Sequence, residues 1–215
     1  MRQPVARGDS PNATPPGWSY NPSAWHERRW LLALAAIGFL AAVYTALDQL
    51  GVISAMWDPF FGSASSDAVT HSFISKLLPV PDGLLGVLGY ACDLIFGSLG
   101  GNDRWRSKTW ATLIFAAVIT GLGLVSLALT ILQGTIIGHW CAVCLVSATV
   151  STLIFGLGIG EALASLQYLA RVRLAQDWKQ AWRAIWFPIT THPHTEPRER
   201  RSSADGAEAM RQEAI

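Results

Sequence analysis

Charged side chains are scarce in this chain. Asp, Glu, Lys and Arg make up 14% of its 215 residues, against about 25% in an ordinary soluble domain, whereas hydrophobic residues make up 51%. The formal net charge is +1, so no basic or acidic excess suggests nucleic acid or an acidic substrate. This composition indicates a membrane protein, in which the positions of the few charges are informative.

Cysteine is scarce as well. The three cysteines, Cys92, Cys141 and Cys144, are too few for a disulfide-stabilised scaffold. No second Cys-x-x-Cys motif or Cys/His cluster completes a tetrahedral zinc site, and a metal carrier built from Cys141, Cys144 and His139 lacks a fourth ligand. We therefore predict no metal site.

Four apolar runs are long enough to be membrane spans. They cover approximately residues 30–50, 81–98, 110–133 and 141–161. A helix of about 20 apolar residues crosses the roughly 30 Å hydrocarbon core of a bilayer. The second run carries Gly83, Gly86 and Gly89 at every third position, and small residues let helices approach closely in lipid. The predicted fold class is an all-α membrane protein, with a four-helix transmembrane bundle over residues 25–165.

The ends of the chain differ from this bundle in composition. Residues 1–24 contain five prolines without apolar periodicity, and residues 188–215 are rich in Pro, His, Glu, Arg and Ser, so both tails are predicted to be disordered. Residues 1–24 also lack the apolar core of a cleaved signal peptide. Residues 166–187 combine tryptophans four residues apart with basic residues. They are predicted to form an amphipathic helix at the cytoplasmic membrane interface.

Lysine and arginine accumulate on the cytoplasmic side of a membrane and therefore predict the orientation of the spans. They lie before span one, between spans two and three, and after span four, as Arg2, Arg7, Arg28, Arg29, Arg104, Arg106, Lys108, Arg171, Arg173, Lys179 and Arg183. The loop 51–80 contains only Lys76, and the loop 134–140 contains neither residue type. Both termini are predicted to be cytoplasmic, and the Cys-x-x-Cys motif to face an outer, oxidising compartment where a disulfide persists.

The loop 51–80 is too apolar to be a free loop. Its first half contains Trp57, Phe60 and Phe61, which are expected to cover either lipid or a hydrophobic ligand. Its second half has apolar residues at helical spacing and is predicted to form a short amphipathic helix, a lid over the bundle. These residues are Phe73, Ile74, Leu77 and Leu78.

Cys141 and Cys144 open the fourth span just after a short polar loop. Two cysteines three residues apart lie on one face of a helix, and a helix N-terminus stabilises a thiolate. Their offset of about 4.5 Å along the helix places Cys141 nearer water and Cys144 nearer lipid. This arrangement favours a redox pair, in which Cys141 exchanges with a protein thiol and Cys144 meets a lipid-soluble electron carrier. The alternative is two small residues packed in the bundle.

Four other side chains are candidates for chemistry. Asp82 opens span two, either as a favourable charge at the helix N-terminus or as a polar group facing a ligand. His139 either assists a thiolate or lies in the headgroup region. Cys92, about 16 Å below the outer end of its span, is interpreted as a packing residue. Asp93 is either functional, as acids within hydrocarbon usually are, or directed toward the inner interface.

With these features the sequence resembles the vitamin K epoxide reductase family of membrane thiol oxidoreductases over about residues 30–165, and specifically its bacterial members. The resemblance includes four spans, a long first outer loop and a Cys-x-x-Cys that opens span four. The stretch Asp82-Gly83-Leu84-Leu85-Gly86 is similar to the family's motif at the start of span two. The stretch Trp57-Asp58-Pro59-Phe60-Phe61-Gly62 lies where the family's first loop begins its cysteine-bearing segment. The implied location is the bacterial cytoplasmic membrane.

The resemblance implies a quinone, ubiquinone or menaquinone, bound beside Cys144, while Cys141 exchanges disulfides with a thioredoxin-like or other secreted thiol protein. It places Asp82 where the family often has an asparagine that hydrogen-bonds the quinone carbonyl. The other candidates for contact with the quinone are Trp57, Phe60, Phe61 and His139. Ala148 stands where animal members have a tyrosine, and residues 45–91 lack the two loop cysteines that usually relay electrons in the family.

The predicted function is therefore that of a quinone-linked membrane thiol-disulfide oxidoreductase. A partner dithiol would reduce the Cys141–Cys144 disulfide, and Cys144 would pass two electrons to a quinone. The absence of the loop cysteine pair keeps a second class open: a non-enzymatic membrane scaffold or assembly factor with a structural disulfide.

Overall fold

The computed structural model of the chain describes residues 14–73, 75, 80–175 and 178–187. Within these residues all regular secondary structure is helical. The helices are α1 (Trp25–Gln49), α2 (Ser63–Thr70), α3 (Asp82–Ser98), α4 (Arg104–Ser107), α5 (Thr109–Leu132), a π-helical turn (Gln133–Ile137), α6 (Ala142–Ala175) and α7 (Trp178–Trp186). The tails 1–13 and 188–215, predicted to be disordered, lie outside the described residues, as do Ile74, Leu77 and Leu78 of the predicted lid helix.

Four helices pack in a closed ring, in which α1 and α5 each contact both α3 and α6. The core inside this ring consists of Leu31, Ala35, Ala42, Tyr90, Phe115, Ile119, Val150 and Ile154. On the outward faces, large apolar side chains of all four helices are exposed, among them Leu40, Leu88, Leu124 and Leu157. Such apolar outer surfaces are typical of helices that face lipid.

In the part of the chain that the structure describes, three helical segments are long and apolar enough to cross a membrane: Trp25–Gln49, Thr109–Ile137 and Ala142–Leu174. They correspond to predicted spans one, three and four. The helix α3, with 17 residues, is shorter, and its role as the second span remains a prediction.

The glycine spacing predicted that another helix approaches α3 closely, and α1 does so. A Cβ atom on Gly83 would lie 2.7 Å from the backbone nitrogen of Ala46, and one on Gly86 would lie 3.2 Å from the Cβ of Ala42. The third glycine, Gly89, faces α5 instead. These contacts bring the start of α3 against the end of α1, where the candidate site lies.

The loop 51–80 contains one helix that was not predicted, α2, Ser63–Thr70. This stretch is rich in serine, which has a low helix propensity. Tertiary hydrogen bonds stabilise α2: Ser66 Oγ donates to Asp58 Oδ2 at 2.6 Å, and Thr70 Oγ1 donates to Asp48 Oδ2 at 2.9 Å. The predicted lid helix lies largely outside the described residues. Phe73, from the predicted lid helix, is exposed.

Two predictions about the ends of the bundle are wrong. Residues 14–24, predicted to be disordered, pack on α6, where Trp18 Nε1 donates to Gln167 Oε1 at 2.8 Å and Ser23 is fully buried. The helix that contains the fourth span continues past residue 161, the predicted end of that span, to Ala175. The predicted amphipathic helix 166–187 is therefore partly this continuation. The separate helix α7 is shorter and exposes its three tryptophans, Trp178, Trp182 and Trp186.

The end of the bundle opposite the cysteines is closed by a buried ionic cluster. Arg104 and Glu161 form an ion pair, and both side chains are almost inaccessible to solvent. Arg104 Nη1 also donates to the carbonyl of Phe96 at 2.6 Å, and Arg28 Nη1 donates to the carbonyl of Gly100 at 2.9 Å. These carbonyls lie at and just beyond the C-terminal turn of α3, where a helix leaves carbonyl groups without partners. Arg28 and Arg104, from which we predicted only the membrane orientation, thus belong to a structural cluster.

Candidate active site

The predicted pairing of Cys141 with Cys144 is confirmed: the two form a disulfide bond, and their Cα atoms are 5.3 Å apart. Because α6 begins at Ala142, the pair lies just before and within its first turn. The backbone N–H of Cys144 points at the Cys141 sulfur, 3.2 Å away. A helix N-terminus with an N–H group so directed stabilises negative charge on that sulfur when the pair is reduced.

The two sulfurs lie in different surroundings. Cys141 was predicted to lie nearer water than Cys144, but it is the more deeply buried of the two. Cys141 is fully buried and packs against Met56 and Val69 of the loop 51–73. Cys144 is only partly buried and lines a cavity between the helices. The loop therefore covers one cysteine, and the cavity gives access to the other.

Asp58 holds the loop on the cysteine turn. Its Oδ2 accepts hydrogen bonds from the Ala142 backbone N–H at 2.8 Å and from Ser66 Oγ at 2.6 Å. Its Oδ1 accepts from the backbone N–H groups of Phe60 and Phe61, each at 2.9 Å. Burial of the carboxyl raises its pKa, but these hydrogen bonds outweigh burial and lower the pKa of Asp58 to about 2. A carboxylate thus caps the first turn of α6.

Two further contacts tie the same loop down. Ser65 Oγ donates to the carbonyl of Trp140 at 2.7 Å and accepts from its N–H at 3.1 Å. The N–H of Trp57 donates to the hydroxyl of Tyr44 in α1 at 2.8 Å. The loop is therefore fixed both to the turn that carries Cys141 and to the helix bundle.

A cavity of about 260 Å³ lies within the ring of helices and reaches the loop. Near the loop its wall includes Asp82 and Ser75, and Ser75 Oγ donates to Asp82 Oδ1 at 2.9 Å. The same oxygen accepts from the N–H of Gly83 at 2.9 Å and from the amide of Gln49. Asp82 lies at the N-terminus of α3, as predicted for the first of its two roles, and it also lines the cavity. Its contact with a ligand, the second role, stays a prediction.

A hydroxyl cluster lies deeper in the cavity, about 12 Å from Asp82 by the rise along α3. The Tyr90 hydroxyl donates to the carbonyl of Ser147 at 2.8 Å and lies 2.6 Å from Ser151 Oγ. Ser126 Oγ donates to Ser151 Oγ at 3.1 Å. These hydroxyl groups satisfy one another, as buried polar groups must.

Gln133 differs from the other polar groups of the cavity wall. It comes from the π-helical turn Gln133–Ile137, its side chain is buried, and its Oε1 has no hydrogen-bond partner among the described residues. An unpaired buried polar atom costs free energy, so this position suits a ligand that carries a hydrogen-bonding group. A side-chain amide can donate or accept, because its oxygen and nitrogen can exchange places by rotation.

Of the five predicted ligand contacts, Asp82 lines the cavity and the other four do not. Trp57 and Phe60 are 73% and 81% exposed, Phe61 is also exposed, and His139 lies exposed in the turn before Cys141.

The aromatic side chains of this loop turn outward because Asp58, between them in sequence, turns inward to bond the loop's own N–H groups. Of the two predicted partners for Trp57, Phe60 and Phe61, lipid therefore fits this placement and a ligand in the cavity does not.

The two candidates in the middle of α3 are not part of the site. Asp93 is fully buried, and neither of its carboxylate oxygens has a hydrogen-bond partner among the described residues, so it does not extend to the inner interface. Cys92 is a free, partly buried cysteine. Neither residue lines the cavity. Within the described residues, no group of three or more His, Cys, Asp or Glu side chains could hold a metal ion.

Sequence reasoning missed Asp58, Tyr90 and Gln133 as site residues. Asp58 stood inside a quoted motif, but its contact with Ala142 joins positions 84 residues apart. Tyr90 and Gln133 had one usable signal, namely a hydrogen-bonding side chain within or at the end of an apolar span, where polar groups usually face the bundle interior.

Comparison with known protein families gives a match to the part of the sequence that forms the helix bundle. The model of the vitamin K epoxide reductase family matches residues 29–159, which run from α1 into α6 and include both site cysteines. The comparison with curated proteins gives no significant match.

Proposed function

The chain belongs to the vitamin K epoxide reductase family, and on that premise we propose that it is a quinone-linked thiol oxidoreductase of the bacterial cytoplasmic membrane. Family membership makes it a membrane thiol oxidoreductase. The observation that carries the finer proposal is the position of the disulfide: Cys144 lines a cavity between the helices, while Cys141 is buried under the loop.

In this proposal α3 is the second of four spans, both termini are cytoplasmic, and the loop 51–80 is a lid on the outer face. The exposed apolar side chains of α3, such as Leu88 and Ile95, support its contact with lipid. The basic residues of the segments before α1, between α3 and α5, and after α6 support the orientation. The tryptophans of α7 would then lie in the inner headgroup region, beside Lys179 and Arg183.

Exchange with a partner protein begins at Cys141. A partner thiolate attacks the Cys141 sulfur and breaks the bond to Cys144, which leaves as a thiolate and takes up a proton. The second partner thiol then displaces Cys141, so the partner becomes a disulfide and the site holds two thiols. Because Cys141 is fully buried, the loop 51–73 must first move away from it.

A quinone in the cavity supplies an acceptor for two electrons and two protons. The two thiols would lose these two electrons and two protons through Cys144, which lines the cavity, as the bond between Cys141 and Cys144 re-forms, so the pair would return to its starting state. The net reaction oxidises one partner dithiol and reduces one quinone. In this proposal the partner dithiol belongs to a thioredoxin-like protein on the outer side of the membrane.

The cavity residues fit a quinone ring, although by different contacts from those predicted. Most of the wall is apolar, as binding sites for such ligands usually are. Asp82 cannot replace the family's asparagine, because a carboxylate only accepts hydrogen bonds and Oδ1 already has partners. Gln133 has an amide that faces the cavity without a partner for its oxygen. We assign to Gln133 the hydrogen bond to a quinone carbonyl.

The test is quinone reduction by the purified, pre-reduced protein in lipid nanodiscs. Quinone absorbance and the thiol state of the cysteines, trapped by alkylation, are followed together. Cys144→Ser is expected to abolish both changes, whereas Cys92→Ser, the same substitution outside the site, is expected to preserve them. Gln133→Leu is expected to raise the quinone concentration for half-maximal rate about tenfold, the effect of one lost hydrogen bond of about 1.4 kcal/mol.

A non-enzymatic scaffold with a static disulfide is the second candidate, and the complete burial of Cys141 favours it. A scaffold predicts that the wild-type cysteines keep one thiol state with and without quinone. That outcome would overturn the enzymatic proposal.

A further inference from the structure

Asp58 touches the disulfide-bearing turn although it lies in a different part of the chain. Its Oδ2 is 2.8 Å from the N–H of Ala142, the residue directly after Cys141. The N–H of Cys144 points at the Cys141 sulfur from the same helical turn. The N–H groups at the N-terminus of α6 therefore donate to two acceptors, the carboxylate of Asp58 and the sulfur of Cys141.

We propose that Asp58 is a positioning residue that lowers the reduction potential of the Cys141–Cys144 pair by placing a carboxylate on the N-terminus of α6. Reduction converts the disulfide, two electrons and two protons into two thiols. The reduced form gains stability whenever one thiol releases its proton to become a thiolate. A carboxylate on the same turn opposes that gain, so it favours the disulfide.

The geometry also explains why this carboxylate stays charged and in place. Four hydrogen bonds, two on each oxygen, fix it. They keep the pKa of Asp58 at about 2, so the charge is constant over the pH range in which thiols titrate. Asp58, to which we assign the effect on the reduction potential, thus belongs to the same loop that covers Cys141.

Other ionisable groups lie around the pair, but their contacts differ. His139 precedes it in the turn, Asp67 is on α2, and Asp82 faces the cavity. Asp48 pairs with His71 at 3.5 Å where α1 meets the end of α2. Among these described ionisable side chains around the cysteines, Asp58 is the one that hydrogen-bonds to the first turn of α6.

The consequence for catalysis rests on the proposed function: a lower potential makes the reduced pair a better donor to a quinone and its disulfide a weaker oxidant of the partner. The effect on the disulfide itself does not depend on any quinone. It is measured from the equilibrium in which the disulfide and reduced dithiothreitol form the site dithiol and oxidised dithiothreitol.

The experiment measures this equilibrium at pH 6 and pH 9 for the wild type and Asp58→Asn, both in the Cys92→Ser background. At pH 9 the substitution is expected to shift the equilibrium about tenfold toward the dithiol, the effect of one charge at close range, or about 30 mV. At pH 6 the shift should be much smaller, because a smaller fraction of any thiol is ionised at lower pH. Asp103→Asn, which removes a charge at the other end of the bundle, should leave the potential unchanged.

A shift of equal size at pH 6 and pH 9 would assign Asp58 a merely structural role, and no shift at pH 9 would overturn the proposal outright. If Asp58→Asn does not fold, the thiolate absorbance of reduced Cys92→Ser protein gives a second readout. Thiolate formation should then begin well above pH 7, near which the reactive thiol of thioredoxin titrates, and formation at or below pH 7 would refute the inference. None of these outcomes depends on quinone reduction, so the two proposals fail separately.

Discussion

Glu161→Gln is expected to be strongly destabilising, although the substitution is nearly isosteric. The Glu161 carboxylate is buried with Arg104 in an ion pair and also accepts a hydrogen bond from Ser23. Without it, the guanidinium groups of Arg104 and Arg28 would lie together in the protein interior with no anion. Removing one partner of a buried ion pair costs about 3–5 kcal/mol. Each kcal/mol lowers the melting temperature of a protein of this size by about 2–4 °C, so the expected fall is about 6–20 °C.

The assay is the apparent unfolding temperature of the detergent-solubilised protein at one scan rate. The control is Glu27→Gln, the same substitution in an exposed pair with His26 at 3.3 Å in α1, which should cost less than about 1 kcal/mol. A variant with both Arg104→Met and Glu161→Leu should melt above Glu161→Gln, because it leaves fewer uncompensated charges. If Glu161→Gln melts at the same temperature as Glu27→Gln, the ion pair does not stabilise this end of the bundle, and the reasoning is refuted.

Two further predictions concern the loop and the helix contact beside the cavity. Gly83→Ala would place a methyl group 2.7 Å from a backbone atom of Ala46 and should lower stability by about 1–3 kcal/mol, whereas Gly156→Ala meets no atom within 4 Å and should not lower the melting temperature. Equal melting temperatures for the two variants would show that α1 and α3 are not in close contact. Because the pKa of Asp58 is about 2, below its ordinary value of 3.8, its contribution to stability is complete above about pH 4 and is lost as pH falls through 2. The difference in melting temperature between wild type and Asp58→Asn should be constant from pH 7 to about pH 4 and shrink toward pH 2, and a difference that grows on acidification would contradict this sign.

The helices of the bundle could be predicted because an apolar run of membrane-spanning length has few structural solutions other than a helix. Their ends could not. Nothing in residues 161–175 separates a helix that continues from one that stops and turns along the membrane. The order of residues 14–24 depends on Trp18 meeting Gln167, 149 residues away. Periodicity reports which residue types recur, but not which distant segment covers them.

In the candidate site, too, local features could be predicted from the sequence, whereas features that depend on long-range contacts could not. The Cys141–Cys144 motif is local, so its spacing and the onset of an apolar run were sufficient to find it. The burial of Cys141 was not predictable, because it depends on Met56 packing over the turn. The unpaired amide oxygen of Gln133 is a property of the folded cavity, and in the sequence Gln133 is only one polar residue after a long apolar run.

The length of α6 has a kinetic consequence. This single helix of 34 residues, about 51 Å long, carries the disulfide at its start and Glu161 just past its middle, about 29 Å along the helix, where the buried ion pair anchors it. The disulfide therefore belongs to the stationary part of the molecule, and exposure of Cys141 requires motion of the loop 51–73 alone. Loop opening then limits the rate of disulfide exchange. At high partner concentration this rate should level off at the rate of loop opening.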